Sequence, residues 1–205
     1  MTLEPYETIV YKNHVIEVVY DTYPADPREW DNLGTIITKR FWNECDYINA
    51  NDRDAVLDHI KVVKNNGGIV LPIYVYSHSI DRFKTSSFYG CGLPQGHAQF
   101  DSGVAGFIYA TAETIRKEYG VQRISKRVRD LATKVLQSEI EIIDNYSSGQ
   151  VYGYIIKTAD GEEIESCYGY YGEAGREDMV SECKSMIDHI MAEPMTRAPV
   201  IALLD

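Results

Sequence analysis

The sequence predicts an α+β protein in which an antiparallel or mixed sheet has three to four helices packed on it. Alternating apolar and polar residues predict a hairpin near each end of the chain, and segments with helical periodicity follow good capping residues. Of the 205 residues, 44% are hydrophobic and 25% are charged, which is typical of a globular protein. This length fits a single domain over residues 1–205.

The first hairpin comprises residues 6–11 and 14–20, which alternate around the turn pair Lys12-Asn13. After a break rich in proline, residues 34–38 predict a short strand. Asn51 then predicts the start of a helix that ends near Lys64, because an asparagine side chain accepts hydrogen bonds from the first turn.

Residues 69–76 form a nearly continuous apolar run, which predicts a buried strand. Pro72 cannot donate a hydrogen bond to a neighbouring strand, so it indicates an edge strand or a bulge. Residues 78–103 are rich in glycine and predict a long loop. A loop of this length in a globular protein is usually functional or mobile.

The second half alternates again, beginning with a strand at residues 105–110. Thr111 and Ser125 are suitable caps for two helices. The apolar face of the longer helix is predicted to be Val128, Leu131, Val135, Ile142 and Tyr146. Residues 150–158 and 162–168 then predict a second hairpin with the turn pair Asp160-Gly161, and a final amphipathic helix covers residues 177–192.

The net charge of −11 is concentrated at the C-terminal end of the chain. Residues 138–205 contain 4 basic and 14 acidic side chains, whereas residues 111–137 contain 7 basic and 3 acidic side chains. An acidic surface repels nucleic acid and attracts basic protein surfaces, so we expect no direct binding of nucleic acid. The alternative that the charge serves solubility alone stays open.

Several classes of protein are not expected from the motifs. The four cysteines have no close pairing and no metal-binding spacing, so we expect no disulfide, no metal and no cofactor. No apolar run is long enough to cross a membrane, and the N-terminus lacks the basic start and apolar core of a signal peptide, so we expect neither a membrane span nor a signal peptide. The motifs of nucleotide-binding proteins, serine hydrolases and kinases are absent, which favours a non-enzymatic protein in the cytoplasm.

Two groups of residues are candidates for a functional site. A ligand pocket is predicted from Trp30, Asp31, Asn32, His78, Asp101 and Ser102. A partner-binding surface is predicted from Glu162, Glu163, Glu165, Tyr168, Tyr170, Tyr171 and Glu173. Tyrosine is favoured at interfaces because it offers a rigid apolar ring with a polar tip. Turn formation and core packing remain the alternatives for both groups.

Six blocks of sequence, in order along the chain, resemble a family of bacteriophage and prophage proteins. They are PREWDNLG at 27–34, LPIYVY at 71–76, DSG at 101–103, GFIY at 106–109, VYGYI at 151–155 and SCYGYYG at 166–172. The resemblance covers roughly residues 16–173, and the blocks carry no established activity. It implies an accessory protein that acts in the cytoplasm of a bacterial host.

These observations lead to two hypotheses about function. In the first, the protein is an acidic counter-defence protein, similar to anti-CRISPR or anti-restriction proteins, that binds and inhibits a host immune or nucleic-acid-handling protein. The expected partner has a basic surface, and a homo-oligomer stays open. In the alternative, the protein binds or hydrolyses a small ligand in a pocket near Trp30, Asp31, His78 and Asp101.

Overall fold

The computed structural model describes residues 4–39, 42–88 and 100–192. It has an α+β fold, which confirms the predicted fold class, and its strands form two antiparallel sheets rather than one. The described residues group into two compact units, one within Met1–Pro24 and Gln150–Asp205 and the other at Ala25–Gly149. The single domain expected from the length stays a prediction.

The strands are β1 (Glu7–Tyr11), β2 (His14–Tyr20), β3 (Thr35–Thr38), β4 (Ile69–His78), β5 (Ile80–Lys84), β6 (Ser102–Ala110), β7 (Val151–Thr158) and β8 (Glu163–Tyr171). The helices are α1 (Arg53–Asn65), α2 (Ala112–Glu118), α3 (Lys126–Ser147) and α4 (Gly172–Ala192), with a short 3₁₀ turn at Pro27–Glu29.

The first unit is a sheet with the strand order β1-β2-β7-β8, and α4 packs on one of its faces. The turn pair Lys12 and Asn13 has φ values of 44° and 62°, which suits the tight turn of the predicted hairpin. The core of this unit joins side chains of β2 and β7 to three residues of α4. Its fully buried members include Ile16, Val18, Ile156, Met179, Cys183 and Ile187.

The second unit is a sheet with the strand order β3-β6-β4-β5 between two layers of helix. On one face, Ile36, Ile73 and Ile108 pack with α2 and α3. On the other face, Ile37 and Tyr109 pack with α1. The strands β3, β4 and β6 therefore pack side chains on both faces, as the apolar runs of the sequence indicate.

Two predictions for this unit are wrong in part. The helix α1 begins one residue later than expected, because Asp52 rather than Asn51 accepts hydrogen bonds from the first turn, at 3.1 Å from both Asp54 N and Ala55 N. The predicted loop at residues 78–103 contains the strand β5, which pairs with β4 immediately after a turn at Ser79, where φ is 73°. Residues 89–99 of that loop lie outside the described residues.

The strand β4 is internal rather than an edge strand, so only the bulge predicted from Pro72 is confirmed. The register with β6 shifts between Ile73 and Tyr74, next to the proline. In β6, Gly106 lies against the neighbouring backbone, because a Cβ atom there would be 2.0 Å from Ile37 O. By contrast, a Cβ atom at Gly103 would meet nothing within 4 Å.

The predicted buried face of α3 is wrong in part, because Val128 packs against the core as expected but the fully buried side chains belong to a neighbouring stripe. The residues of α3 that are buried are Ala132, Leu136, Glu139, Ile140 and Ile143. Leu131 and Val135, which the periodicity assigned to the core, are 42% and 38% exposed. The helix therefore has two apolar stripes, and the sheet covers only one of them.

Candidate functional site

The PREWDNLG segment is stabilised by its own polar side chains. Asp26 Oδ1 accepts a hydrogen bond from Arg28 N at 2.8 Å and caps the 3₁₀ turn. Asn32 Nδ2 donates to Pro27 O and to Trp30 O, both at 2.9 Å. These contacts support the turn-forming interpretation of Asn32.

Arg28 connects this segment to α3 through a buried network. Its guanidinium donates to both carboxylate oxygens of Glu44, at 2.6 and 2.9 Å, and to Glu139 Oε2 at 2.9 Å. Glu139 Oε1 also accepts from Leu33 N at 2.8 Å. Burial alone would lower the pKa of Arg28, but the hydrogen bonds to the two carboxylates outweigh it and raise that pKa. The network fixes the backbone that precedes β3.

Three of the predicted pocket residues lie next to this network. Trp30 is 43% exposed, and Asp31 and Asn32 line a shallow groove of about 400 Å³ along α3. The groove also contains Tyr119 and the exposed Leu131. Here the polar side chains are beside an apolar surface rather than around an enclosed cavity.

The other three predicted pocket residues lie where β4 ends and β6 begins. His78 Nδ1 is 3.3 Å from Asp101 Oδ2, and the backbone pairs Ser77 N with Asp101 O at 2.8 Å. Asp101 and Ser102, together with Lys39, line a cavity of about 380 Å³ that is as open to solvent as the groove along α3. His78 and Asp101 are therefore two of the six predicted pocket residues that lie close together.

Asp31 and Asn32 line the groove along α3, whereas Asp101 and Ser102 line the other cavity. Among the described residues, none lines both the groove at Asp31 and the cavity at Asp101. A common pocket for all six residues stays a prediction. The Asp101 cavity contains the carboxylate of Asp101, the hydroxyl of Ser102 and the ammonium group of Lys39, which could bind a small polar ligand.

The acidic side chains of the second hairpin are exposed. Glu162, Glu163 and Glu165 lie at and after the turn between β7 and β8. Ser166 Oγ donates to Glu163 Oε1 at 2.9 Å, and none of the three glutamates forms an ion pair with a described residue. We call these three glutamates and Tyr168 the acidic hairpin.

The tyrosine side chains predicted for the same surface lie on different faces of the sheet. Tyr168 is opposite Gly153, whereas Tyr170 is opposite Tyr152, and the register shifts between these pairs. Gly169 has a φ of 92° and lies between the two tyrosines, so it is the extra residue of a bulge. Because of this bulge, Tyr168 lies over Gly153 and is 45% exposed.

Tyr170 instead packs toward α4 and donates a hydrogen bond to Glu182 at 3.1 Å. Burial and this hydrogen bond raise the pKa of the Tyr170 hydroxyl. Tyr171 is also partly buried. Of the three tyrosines, Tyr168 is therefore the most exposed.

Glu173 differs from the glutamates of the hairpin because its charge is compensated. Arg176 forms ion pairs with Glu173 and with Glu7. The hydrogen bond from Arg176 lowers the pKa of the Glu173 carboxyl. We therefore place Glu173 outside the acidic hairpin.

Sequence reasoning missed a cluster of polar and aromatic residues beside α1. The Tyr47 and Tyr109 hydroxyls are 3.1 Å apart, and Tyr109 Oη lies 3.9 Å from Cys45 Sγ. His59 packs edge-on against both rings, and its Nε2 atom is buried without a hydrogen-bond partner among the described residues. No motif joins these residues in the sequence, because Cys45 and Tyr47 precede α1, His59 lies within α1 and Tyr109 lies in β6.

In the described ranges, no three His, Cys, Asp or Glu side chains gather in a way that could hold a metal ion. None of the helices described has both the length and the apolar composition of a membrane span. Comparisons of the chain with models of protein families, with curated proteins and with solved structures find no match.

Proposed function

We propose that the protein binds a basic surface of another protein through the acidic hairpin. The observation that carries this proposal is the exposure of Glu162, Glu163 and Glu165 without ion pairs to described residues. Other acidic residues of the same unit are compensated, as Glu17 is by Lys157 at 2.7 Å. The hairpin therefore has negative charge available for a partner.

The arrangement favours a partner that supplies lysine or arginine. Neighbouring carboxylates repel each other, and a basic surface relieves this repulsion while it accelerates association through long-range attraction. Tyr168 adds an exposed aromatic ring beside the carboxylates. Aromatic rings at the centre of an interface contribute apolar area and can stack against arginine.

The kind of partner follows from the resemblance to phage proteins together with this charge. Host proteins that handle nucleic acid have basic grooves, and an acidic protein can occupy such a groove in place of phosphate groups. We propose that the protein is a counter-defence inhibitor that acts in this way in the bacterial cytoplasm. Inhibition by occupation requires no catalytic residue.

Capture of partners from a bacterial lysate tests the proposal. The variant Glu162→Lys/Glu163→Lys/Glu165→Lys reverses the hairpin charge. The control Asp46→Lys/Glu113→Lys/Asp130→Lys makes the same change in net charge at exposed positions of the second unit. We expect the wild type and the control to retain the same basic protein, which mass spectrometry identifies, and the hairpin variant to lose it.

The captured protein is then purified and its nucleic-acid binding is measured with and without the wild-type chain. Inhibition should weaken between about 0.15 and 0.5 M salt, because salt screens exposed charges. Equal loss of capture by the control variant would show that only net charge matters and would reject the hairpin as the site. Retention by the hairpin variant would also reject it.

The pair of His78 and Asp101 favours a second candidate function, the binding of a small polar ligand in the adjacent cavity. This second function is supported by the 3.3 Å distance between His78 Nδ1 and Asp101 Oδ2, at the edge of a site that also contains Ser102. Reversal of the hairpin charge should leave this function intact, whereas Asp101→Asn should impair it. Loss of the same activity in both variants would contradict a separate ligand site.

A further inference from the structure

The helix α3 has an apolar stripe that the core does not use. Leu131, Val135, Ser138 and Ile142 are separated by four, three and four residues, so they lie along one side of the helix. Leu131 and Val135 are more than one-third exposed, and Ile142 is partly exposed. This spacing is the one by which a helix packs lengthwise on another helix.

The stripe lines the shallow groove that also contains Asp31 and Tyr119. From Leu131 to Ile142 the helix rises by about 16 Å, or three turns. A helix placed along this distance could cover all four positions. The small side chain of Ser138 would allow the backbone of that second helix to approach α3 closely.

The charged residues beside the stripe indicate that the second helix has the same sequence as α3. Lys134 and Glu141 are two turns apart on α3, both are exposed, and neither forms an ion pair with a described residue. A helix of the same sequence that runs antiparallel places its own Glu141 next to Lys134, and its Lys134 next to Glu141. In the same alignment Leu131 meets Ile142, and Val135 meets the small side chain of Ser138, so the two stripes face each other along their whole length.

We propose that the protein forms a two-fold symmetric dimer in which α3 of one copy packs antiparallel on α3 of a second copy. The interface is self-complementary, because each contact occurs twice by symmetry. One pair of helices buries less area than a standard interface, so the dimer dissociates in the micromolar range or above. This inference does not depend on the acidic hairpin.

Sedimentation equilibrium of the full chain from about 5 to 500 µM tests the dimer, since a small interface is populated only at high concentration. We expect the average mass to rise from that of one chain toward that of two. A single-chain mass throughout this range would overturn the proposal.

Three charge variants test the antiparallel arrangement. Lys134→Glu and Glu141→Lys each bring two pairs of like charges together, so each should raise the dissociation constant by about tenfold or more. The double variant restores opposite charges and should return within about threefold of the wild type. Wild-type affinity in either single variant, or no recovery in the double variant, would overturn the arrangement.

The apolar layers are tested by Leu131→Asp, which should abolish the dimer. Val62→Asp is the control, because Val62 is an exposed apolar residue on α1 away from the stripe. Circular dichroism confirms that each variant is folded. A dimer that persists in Leu131→Asp, or one that is lost in Val62→Asp, would overturn the proposal, and the charge variants decide the case if Leu131→Asp does not fold.

Discussion

Replacement of Arg28 by methionine tests the importance of the buried network for stability. The Arg28 and Glu139 side chains are 6% and 8% exposed, so the substitution leaves the Glu139 carboxylate buried without its counter-charge. Breaking a buried ion pair in this way costs about 3–5 kcal/mol. We expect Arg28→Met to lower the free energy of unfolding of the second unit by this amount, since methionine retains much of the arginine volume.

Urea denaturation of the full chain, followed by circular dichroism, measures the loss. Arg82→Met is the matched control, because Arg82 is 42% exposed in its ion pair with Asp144 and should contribute only about 1 kcal/mol or less. In the double variant Arg28→Met/Glu139→Gln, both buried charges are removed. Its loss should therefore be smaller than the sum of the two single losses.

A loss for Arg28→Met that is no larger than that of Arg82→Met would refute this reasoning. So would strict additivity in the double variant, because two residues in direct contact should be energetically coupled. Either result would show that the segment before β3 is held mainly by packing.

Three further predictions concern single positions. Burial lowers the pKa of His59 below its ordinary value of 6.5, so the unfolded chain binds more protons just below that pH and stability falls as the pH falls. His59→Phe should reduce this loss of stability, which thermal melts at about pH 5.5–7, around the ordinary pKa of histidine, would measure. Gly106→Ala should destabilise the protein by about 2 kcal/mol or more in urea, because its Cβ atom would meet the neighbouring backbone, whereas Gly103→Ala should be nearly neutral. Burial raises the pKa of the Cys183 thiol to about 12. Iodoacetamide should therefore label the exposed Cys167 and spare Cys183 until the chain unfolds. Mass spectrometry of the peptides measures the order of labelling, and labelling of Cys183 before Cys167 would contradict the prediction.

The parts of the fold that the sequence predicts are those with local signals. The first hairpin is one, because the turn pair Lys12-Asn13 and the alternation on either side are adjacent in sequence. The buried face of α3 was not predictable in the same way. Its two stripes are both apolar and differ by one residue in register, so only the sheet decides that Leu136 is buried and Val135 is not.

The same distinction applies to the candidate site. His78 and Asp101 flank one loop, and the pairing of β4 with β6 brings them together. The contact between Arg28 and Glu139 joins residues 111 positions apart, and no local pattern indicates it. The opposite directions of Tyr168 and Tyr170 depend on a bulge, which changes the face of every later residue in the strand.

The first unit is built from both ends of the chain, which has a consequence for folding during synthesis. Glu17 in β2 and its partner Lys157 in β7 are 140 positions apart. While the ribosome makes residues 25–149, the first hairpin has no third strand, and a hairpin alone is only marginally stable. The second unit is continuous in sequence, so it can fold as soon as it emerges. Until β7 is made, the open edge of β2 is available to strands of other nascent chains.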